Sequence, residues 1–274
     1  MAFEFQQAGE CTSLERAHMI GSAFRKTGRP VVLVPLGEDT DELHAGHISL
    51  IRAARTVPRA VVVVAWNGGE NDEKFAEEKV DVVWRVGNKD LWPDGEPRVT
   101  VTAQDHGLED VDAVTAELTR LVALIGALGP SDIVVGEKDF ELMTELASAV
   151  QDLHLPVQIH GVPTVRMPGG LAISLRNVDV AEDARDQALA LSAALTAGAH
   201  MAEQGEEAVV DTARAVLDAA GITPEYLELR STLLGPAPKE GDARLFVAAE
   251  IGGVRLTDNA GVPIGIGFKN LGND

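Results

Sequence analysis

The sequence predicts an α/β fold: a doubly wound parallel sheet followed by a smaller C-terminal α+β domain. Three observations carry this reading. Continuously apolar runs alternate with amphipathic helical runs from residue 31 onward, as strands buried on both faces do between crossover helices. After about Asn177 the pattern changes to two helices followed by short strands with no helices between them. One strand–loop–helix stretch, residues 31–55, carries His44-Ala45-Gly46-His47 where its helix should begin.

From the N-terminus, residues 12–26 read as a helix, with Ser13 as N-cap and Leu14, Ala17, Ile20 and Phe24 at helical spacing, ended by Gly28. Residues 31–34 form the first strand, stopped by Pro35; residues 36–42 make an acidic loop; and Ile48, Ile51 and Ala54 repeat on one helical face. Residues 59–65 read as a buried strand, 66–72 as loop, 74–79 as a short charged turn of helix, and 80–84 as a third strand. Pro93-Asp94-Gly95 is a turn, and the β-branched run 98–102 is expected to be a strand. Residues 112–128 form an amphipathic helix with Val114, Leu118, Leu121 and Ile125 on one face, stopped by Gly129-Pro130. A strand over 132–135, a helix over 140–153 and a strand over 156–160 complete the sheet, before a Gly- and Pro-rich segment over 161–177. The remainder reads as helices over 182–203 and 206–219, then strands over 226–230, 244–249 and 254–256. The domain boundary is expected at 175/176, giving domains 1–175 and 176–274.

Composition bounds the function. There are 23 basic and 43 acidic residues, a net charge of −20, which argues against nucleic acid or an anionic membrane surface as partner. The single cysteine, Cys11, excludes an internal disulfide and a cysteine-based zinc site. The first residues show no basic stretch leading into an apolar run, and no apolar run approaches membrane-spanning length, so the expected location is the cytoplasm.

Three segments could do chemistry. A helix N-terminus presents unpaired N–H groups and the positive end of its dipole, so His44 and His47, with Gly46 between them, are placed to hold phosphates of a nucleotide. A metal pair is the competing reading, but no third ligand stands at a metal-like spacing, and no metal site is expected. Lys138 follows a buried strand in Gly136-Glu137-Lys138-Asp139; in a doubly wound sheet that places a mobile positive charge at the mouth of the same cleft. Ser174-Leu175-Arg176-Asn177 follows Gly169-Gly170 and reads either as a loop that closes over phosphates or as an interdomain linker. Arg176 is its strongest candidate, because a guanidinium grips phosphate in a fixed fork. His18, His106, His154, His160 and His200 have no motif around them and receive no role.

Taken together, LVPLGEDTDELHAGHISLIRAAR, VGEKDFELMTELASAVQDLHLPV, GVPTVRMPGGLAISLRNVDV, ALALSAALTAGAH, YLELRSTLLGPAP and RLFVAAEIGGVRLTDN resemble the pantothenate synthetase (pantoate–β-alanine ligase) family. That family belongs to the HxGH nucleotidyltransferases, and the resemblance runs over nearly the whole chain. It implies a Rossmann-like first domain and a two-step ligation. Pantoate carboxylate attacks the α-phosphorus of Mg·ATP, and the amine of β-alanine then displaces AMP. On matching positions it implies that His44, Gly46 and His47 hold the triphosphate, that Lys138 contacts phosphate oxygens, and that Gly136 and Asp139 line the nucleotide pocket. Ser174 and Arg176 would belong to a phosphate-clamping loop. The implied ligands are ATP, Mg2+, pantoate and β-alanine, and the implied assembly is a homodimer.

The sequence also departs from the family. In place of P-T-M-G-A-L before the first histidine stands a longer loop with Glu38, Asp39, Asp41 and Glu42; Glu141 and Leu142 replace the glutamines after G-x-K-D; Leu175 replaces the second serine of S-S-R-N. These departures leave a second reading open: a divergent paralogue that keeps ATP binding but has lost pantoate binding. Such a chain would act on another carboxylic acid or serve as an inactive nucleotide- or partner-binding protein.

Overall fold

The structure is a computed structural model that describes residues 4–37, 43–69, 71–174, 177 and 179–266. The chain divides into two compact units between Pro163 and Thr164, whereas the sequence places the boundary at 175/176. The segment from Thr164 onward thus falls with the second unit.

In the first unit, β1 (Gly9–Cys11), β2 (Val31–Pro35), β3 (Val61–Trp66), β4 (Val82–Arg85), β5 (Asp132–Gly136) and β6 (Gln158–Val162) form one sheet in the order β1-β4-β3-β2-β5-β6. Every pair is parallel. Helices α1 (Leu14–Lys26), α2 (Ala45–Ala54), α3 (Asp72–Glu77), α4 (Asn88–Leu91), α5 (Val111–Leu128) and α6 (Phe140–Asp152) connect them. The strands are apolar throughout because both faces are covered. Leu33, Val61 and Val63 pack with Ala17, Leu118 and Leu146 on one side; Val32, Val34 and Val62 pack with Ile51, Ala54 and Phe75 on the other. The sheet grows from β2 in both directions: β3 lies on one flank and β5 on the other, so the strand order reverses at β2 and β5. In doubly wound sheets ligands bind at that reversal, outside the carboxyl ends of the strands.

Two departures from the sequence reading have clear causes. Residues 98–102 are not a strand, because side chains of α5 take their donors: Val101 N–H donates to Thr119 Oγ1 and Ala103 N–H to Thr115 Oγ1, each at 3.0 Å. No sheet partner is needed for a backbone already satisfied. Strand β1 is only three residues long and carries no apolar run, yet it pairs with β4 at the sheet edge. α1 keeps its predicted cap, with Arg16 N–H donating to Ser13 Oγ at 3.2 Å.

In the second unit, α7 (Arg185–His200) and α8 (Glu206–Ala219) pack with an antiparallel sheet of β7 (Tyr226–Ser231), β8 (Gly241–Ile251) and β9 (Val254–Ile264). β8 and β9 are longer than the sequence suggests, because their ends alternate polar and apolar and lack an apolar run. Among the described residues, no helix is long and apolar enough to cross a membrane.

Candidate active site

The site begins where β2 leaves the sheet. Leu36 N–H still pairs with the Ala65 carbonyl at 3.0 Å, and Arg120 of α5 reaches the Leu36 carbonyl at 3.4 Å. Residues 38–42 of the acidic loop, its four acids among them, lie outside the described residues. Helix α2 then opens with a cap made by two imidazoles. His44 is the N-cap; its Nδ1 accepts from His47 N–H at 3.3 Å, and His47 Nδ1 accepts from His44 N–H at 3.5 Å. The rings stack with centroids 3.6 Å apart. This is a capping box built from histidines in place of Ser/Thr and Glu/Gln.

The cap fixes the proton positions. Both Nδ1 atoms accept a hydrogen bond, so each must carry a lone pair, and each neutral ring keeps its proton on Nε2. Burial supports the same state. Desolvation, and then the neighbouring His44, push His47 down to about 4. Desolvation also lowers His44, and the positive charge of Lys138 adds to it. The pair therefore offers two Nε2–H donors and no positive charge near neutral pH. The N–H groups of Ala45 and Gly46, in the first turn, lie outside the helix's own ladder.

Gly46 also has a steric task within the cap. A Cβ at this position would stand 2.8 Å from His44 Cε1 and 2.9 Å from Nδ1. The glycine makes room for the imidazole. Behind the pair, His47 meets Trp66 edge-on at 6.3 Å and Trp66 meets Phe75 at 5.8 Å, a buried aromatic backing for the ring.

The second wall is β5, which lies beside β2. Its last residue, Gly136, faces α2, for a Cβ there would lie 3.8 Å from Leu50 Cδ2. A single 3-10 turn, Glu137–Asp139, follows and carries Lys138, whose Nζ is 3.9 Å from Asp139 Oδ1. The reversal of strand order thus brings His44, His47 and Lys138 to one edge, with Gly136 and Asp139 flanking the lysine. Ser174 belongs to the second unit, where its carbonyl accepts from Asn177 N–H at 3.2 Å. Arg176 lies outside the described residues.

Sequence reading missed a buried polar strap next to α6. Glu145 accepts from Gln104 N–H at 2.9 Å and pairs with His106 Nε2 at 2.8 Å; Glu141 accepts from Glu109 N–H at 2.9 Å. Burial raises the Glu141 carboxyl. Glu141 therefore holds the segment before α5, which gives it a structural task, and His106 gains one as well. The i,i+4 spacing of two acids, Glu141 and Glu145, on α6 was the available signal. Among the described residues, no three His, Cys, Asp or Glu side chains gather as a metal-binding group.

The chain is similar to known proteins over most of its length. Residues 67–261 match the family described as Pantoate-beta-alanine ligase. The pantothenate synthetase of Corynebacterium jeikeium is 43% identical over 99% of this chain and 95% of its own length. That of Mycolicibacterium smegmatis is 40% identical over 92% of this chain and 88% of its own. The crystal structure of pantothenate synthetase from Thermus thermophilus superposes with a TM-score of 0.77 at 26% identity, covering 92% of this chain and 98% of that one. A pantoate-β-alanine ligase from Francisella tularensis, complexed with β,γ-ATP and β-alanine, shares the fold with a TM-score of 0.70 at 22% identity, over 92% of this chain and 97% of that one.

Proposed function

Because the chain belongs to the pantoate-β-alanine ligase family, we propose that it joins pantoate to β-alanine at the expense of ATP, through a pantoyl adenylate, releasing AMP and pyrophosphate. The observation that carries the chemistry is the reciprocal imidazole cap beside Lys138. Attack of a carboxylate on the α-phosphorus builds negative charge on phosphate oxygens, and the protein's part is to position the reactants and meet that charge. In this reading the Nε2–H groups of His44 and His47 donate to phosphate oxygens. The spare N–H groups of Ala45 and Gly46 add donors at the positive end of α2. Lys138 supplies the mobile positive charge. Gly136 and Asp139 border the nucleotide, and Ser174 and Arg176 close on its phosphates. In the second step the β-alanine amine attacks the acyl carbon, the C–N bond forms, and AMP leaves with the bonding pair.

In this reading Mg2+ would accompany the phosphates of ATP and screen their charge. Identity of about two fifths to pantothenate synthetases over nearly the whole chain does not favour the alternative of a lost acid site. The same reading makes the protein a cytoplasmic homodimer, which light scattering on the purified chain tests.

The deciding experiment is turnover. Purified protein with Mg·ATP, pantoate and β-alanine should release AMP and form pantothenate. Pyrophosphate should appear with pantoate alone and vanish when pantoate is left out. Pyrophosphate release that is indifferent to pantoate would overturn the assignment.

A further inference from the structure

Trp66 is held more tightly than core packing requires. It ends β3, is fully buried, and its indole N–H donates to the Gly69 carbonyl at 2.9 Å. That carbonyl is a hub, for Arg85 Nη1 and Asn71 Nδ2 each reach it at 3.4 Å. Arg85 ends β4 opposite Trp66 in the parallel register, so the two side chains share one face of the sheet. Its other terminal nitrogen donates to Asp72 Oδ1 at 2.6 Å, at the start of α3. Helix α3 then lays Phe75 edge-on against the indole, with ring planes 74° apart. Burial alone does not bring such a tether. Trp84, buried as fully on the neighbouring strand, has no partner for its indole N–H among the described residues.

The indole that is fixed in this way is a wall of the imidazole cap. It meets His47 edge-on, with planes 71° apart, while His44 stacks on the same ring with planes 20° apart. Two contacts of different orientation leave an imidazole little freedom to turn. The cap needs that restraint. The bond from His44 N–H to His47 Nδ1 is 3.5 Å long, too long to hold the ring by itself. If the ring turns, Nδ1 leaves that donor and Nε2–H no longer points away from the helix end. Packing therefore has to set the orientation, and a packed ring is only as well placed as the wall behind it. Phenylalanine could present an edge to His47, but it has no N–H with which to fix that edge.

We propose that Trp66, tethered to the Gly69 carbonyl, is a positioning residue for adenylate formation: it holds the His47 ring in the orientation that presents Nε2–H to a phosphate oxygen. This rests on the reading of His47 as a phosphate donor. Trp66 touches no substrate; it acts through His47.

The test measures pantoate-dependent pyrophosphate release, thermal melts and the NMR titration of His47 on the full chain. The variants are His47→Gln, Trp66→Leu, Trp66→Phe, and each Trp66 variant combined with His47→Gln. His47→Gln should slow release by about 100-fold, as loss of one donor to a developing oxyanion does. Trp66→Leu removes edge and tether and should slow it by about tenfold or more. Trp66→Phe keeps an edge without the tether and should fall between Trp66→Leu and wild type. In the combined variants the rate should stay close to that of His47→Gln alone, because an absent ring cannot be misplaced. In Trp66→Leu the His47 midpoint should rise from near 4 toward 6.5 as the ring gains water. A lower melt with an unchanged rate and an unmoved midpoint would make Trp66 a fold stabiliser only and overturn the proposal. Effects of Trp66 and His47 that multiply fully would overturn it too, and Trp66→Phe as fast as wild type would sink the tether. No release by wild type, or His47→Gln as fast as wild type, would remove the reading this rests on, and the proposal with it. If Trp66→Leu does not fold, Trp66→Phe and its combination with His47→Gln carry the same expected direction and the same refutation.

Discussion

Replacing Gly46 with alanine separates stability from function at this site. The new Cβ would stand 2.8 Å from His44 Cε1 and 2.9 Å from Nδ1, closer than real Cβ contacts come. The helix backbone is fixed by its ladder, whereas the ring turns about one bond, so the ring is what moves. It then gives up the hydrogen bond from His47 N–H, a cap worth about 1 kcal/mol. Against this, alanine is favoured over glycine inside a helix by about 1 kcal/mol. The two effects nearly cancel, and the melting temperature should hardly change. Catalysis has no such compensation. A donor shifted by on the order of 1 Å costs about 100-fold in rate. Differential scanning calorimetry and AMP release on the same sample read both quantities. An alanine variant with wild-type AMP release would show that the ring does not need the space, and would refute this role for Gly46.

The same geometry sets three further outcomes. His47, held near 4 against an ordinary 6.5, binds its proton less well folded than unfolded; its contribution is therefore complete above 6.5 and lost as pH falls toward 4. The loss is on the order of 3 kcal/mol, visible in urea melts of wild type against His47→Gln, and an NMR titration of His47 centred near 6.5 would sink it. Lys138→Ala should cut adenylate formation by about 100-fold or more while letting the His44 titration move upward, because the charge that adds to desolvation in lowering it is gone; an unmoved His44 midpoint would separate the two groups. Glu145→Ala strands the Gln104 N–H and the His106 ring, at a cost of roughly 2–4 kcal/mol seen as a lower melting temperature, with KM for ATP little changed; an unaltered melt would show that the strap is not held by this carboxylate.

What could be read in the sequence was whatever a repeating pattern or a charged motif advertises. The runs read as strands over 59–65 and 132–135 marked β3 and β5, because a strand covered on both faces has no reason to alternate. The reversal of strand order between β2 and β5 then brings Lys138 to the edge where His44 stands. Residues 98–102 failed for the opposite reason: their β-branched composition is that of a strand, but Thr115 and Thr119, more than ten positions away, supply the acceptors a neighbouring strand would have supplied. The strap is illegible on the same ground, since Glu141 and Glu145 find their donors only when 104–109 is laid against α6. Local periodicity reports burial; it does not report which distant group satisfies a backbone.

The cap explains why histidine, and not a commoner capping residue, opens α2. A serine or aspartate oxygen would satisfy the His47 N–H equally well. Serine would then offer nothing that reaches past the helix end, and aspartate would set a negative charge where the proposed function brings phosphates. Imidazole has two nitrogens on opposite sides of a rigid ring. Nδ1 completes the helix while Nε2–H remains a donor, but only in the neutral ring, because protonation of Nδ1 destroys the acceptor. Cap and donor thus demand one protonation state, and burial against Trp66 lowers His47 enough to enforce it. In the proposed function, positive charge is left to Lys138, whose stem would follow the phosphates as the bond to the α-phosphorus breaks. On that proposal, fixed neutral donors and a mobile cation divide the work: the first would set geometry, the second would follow charge.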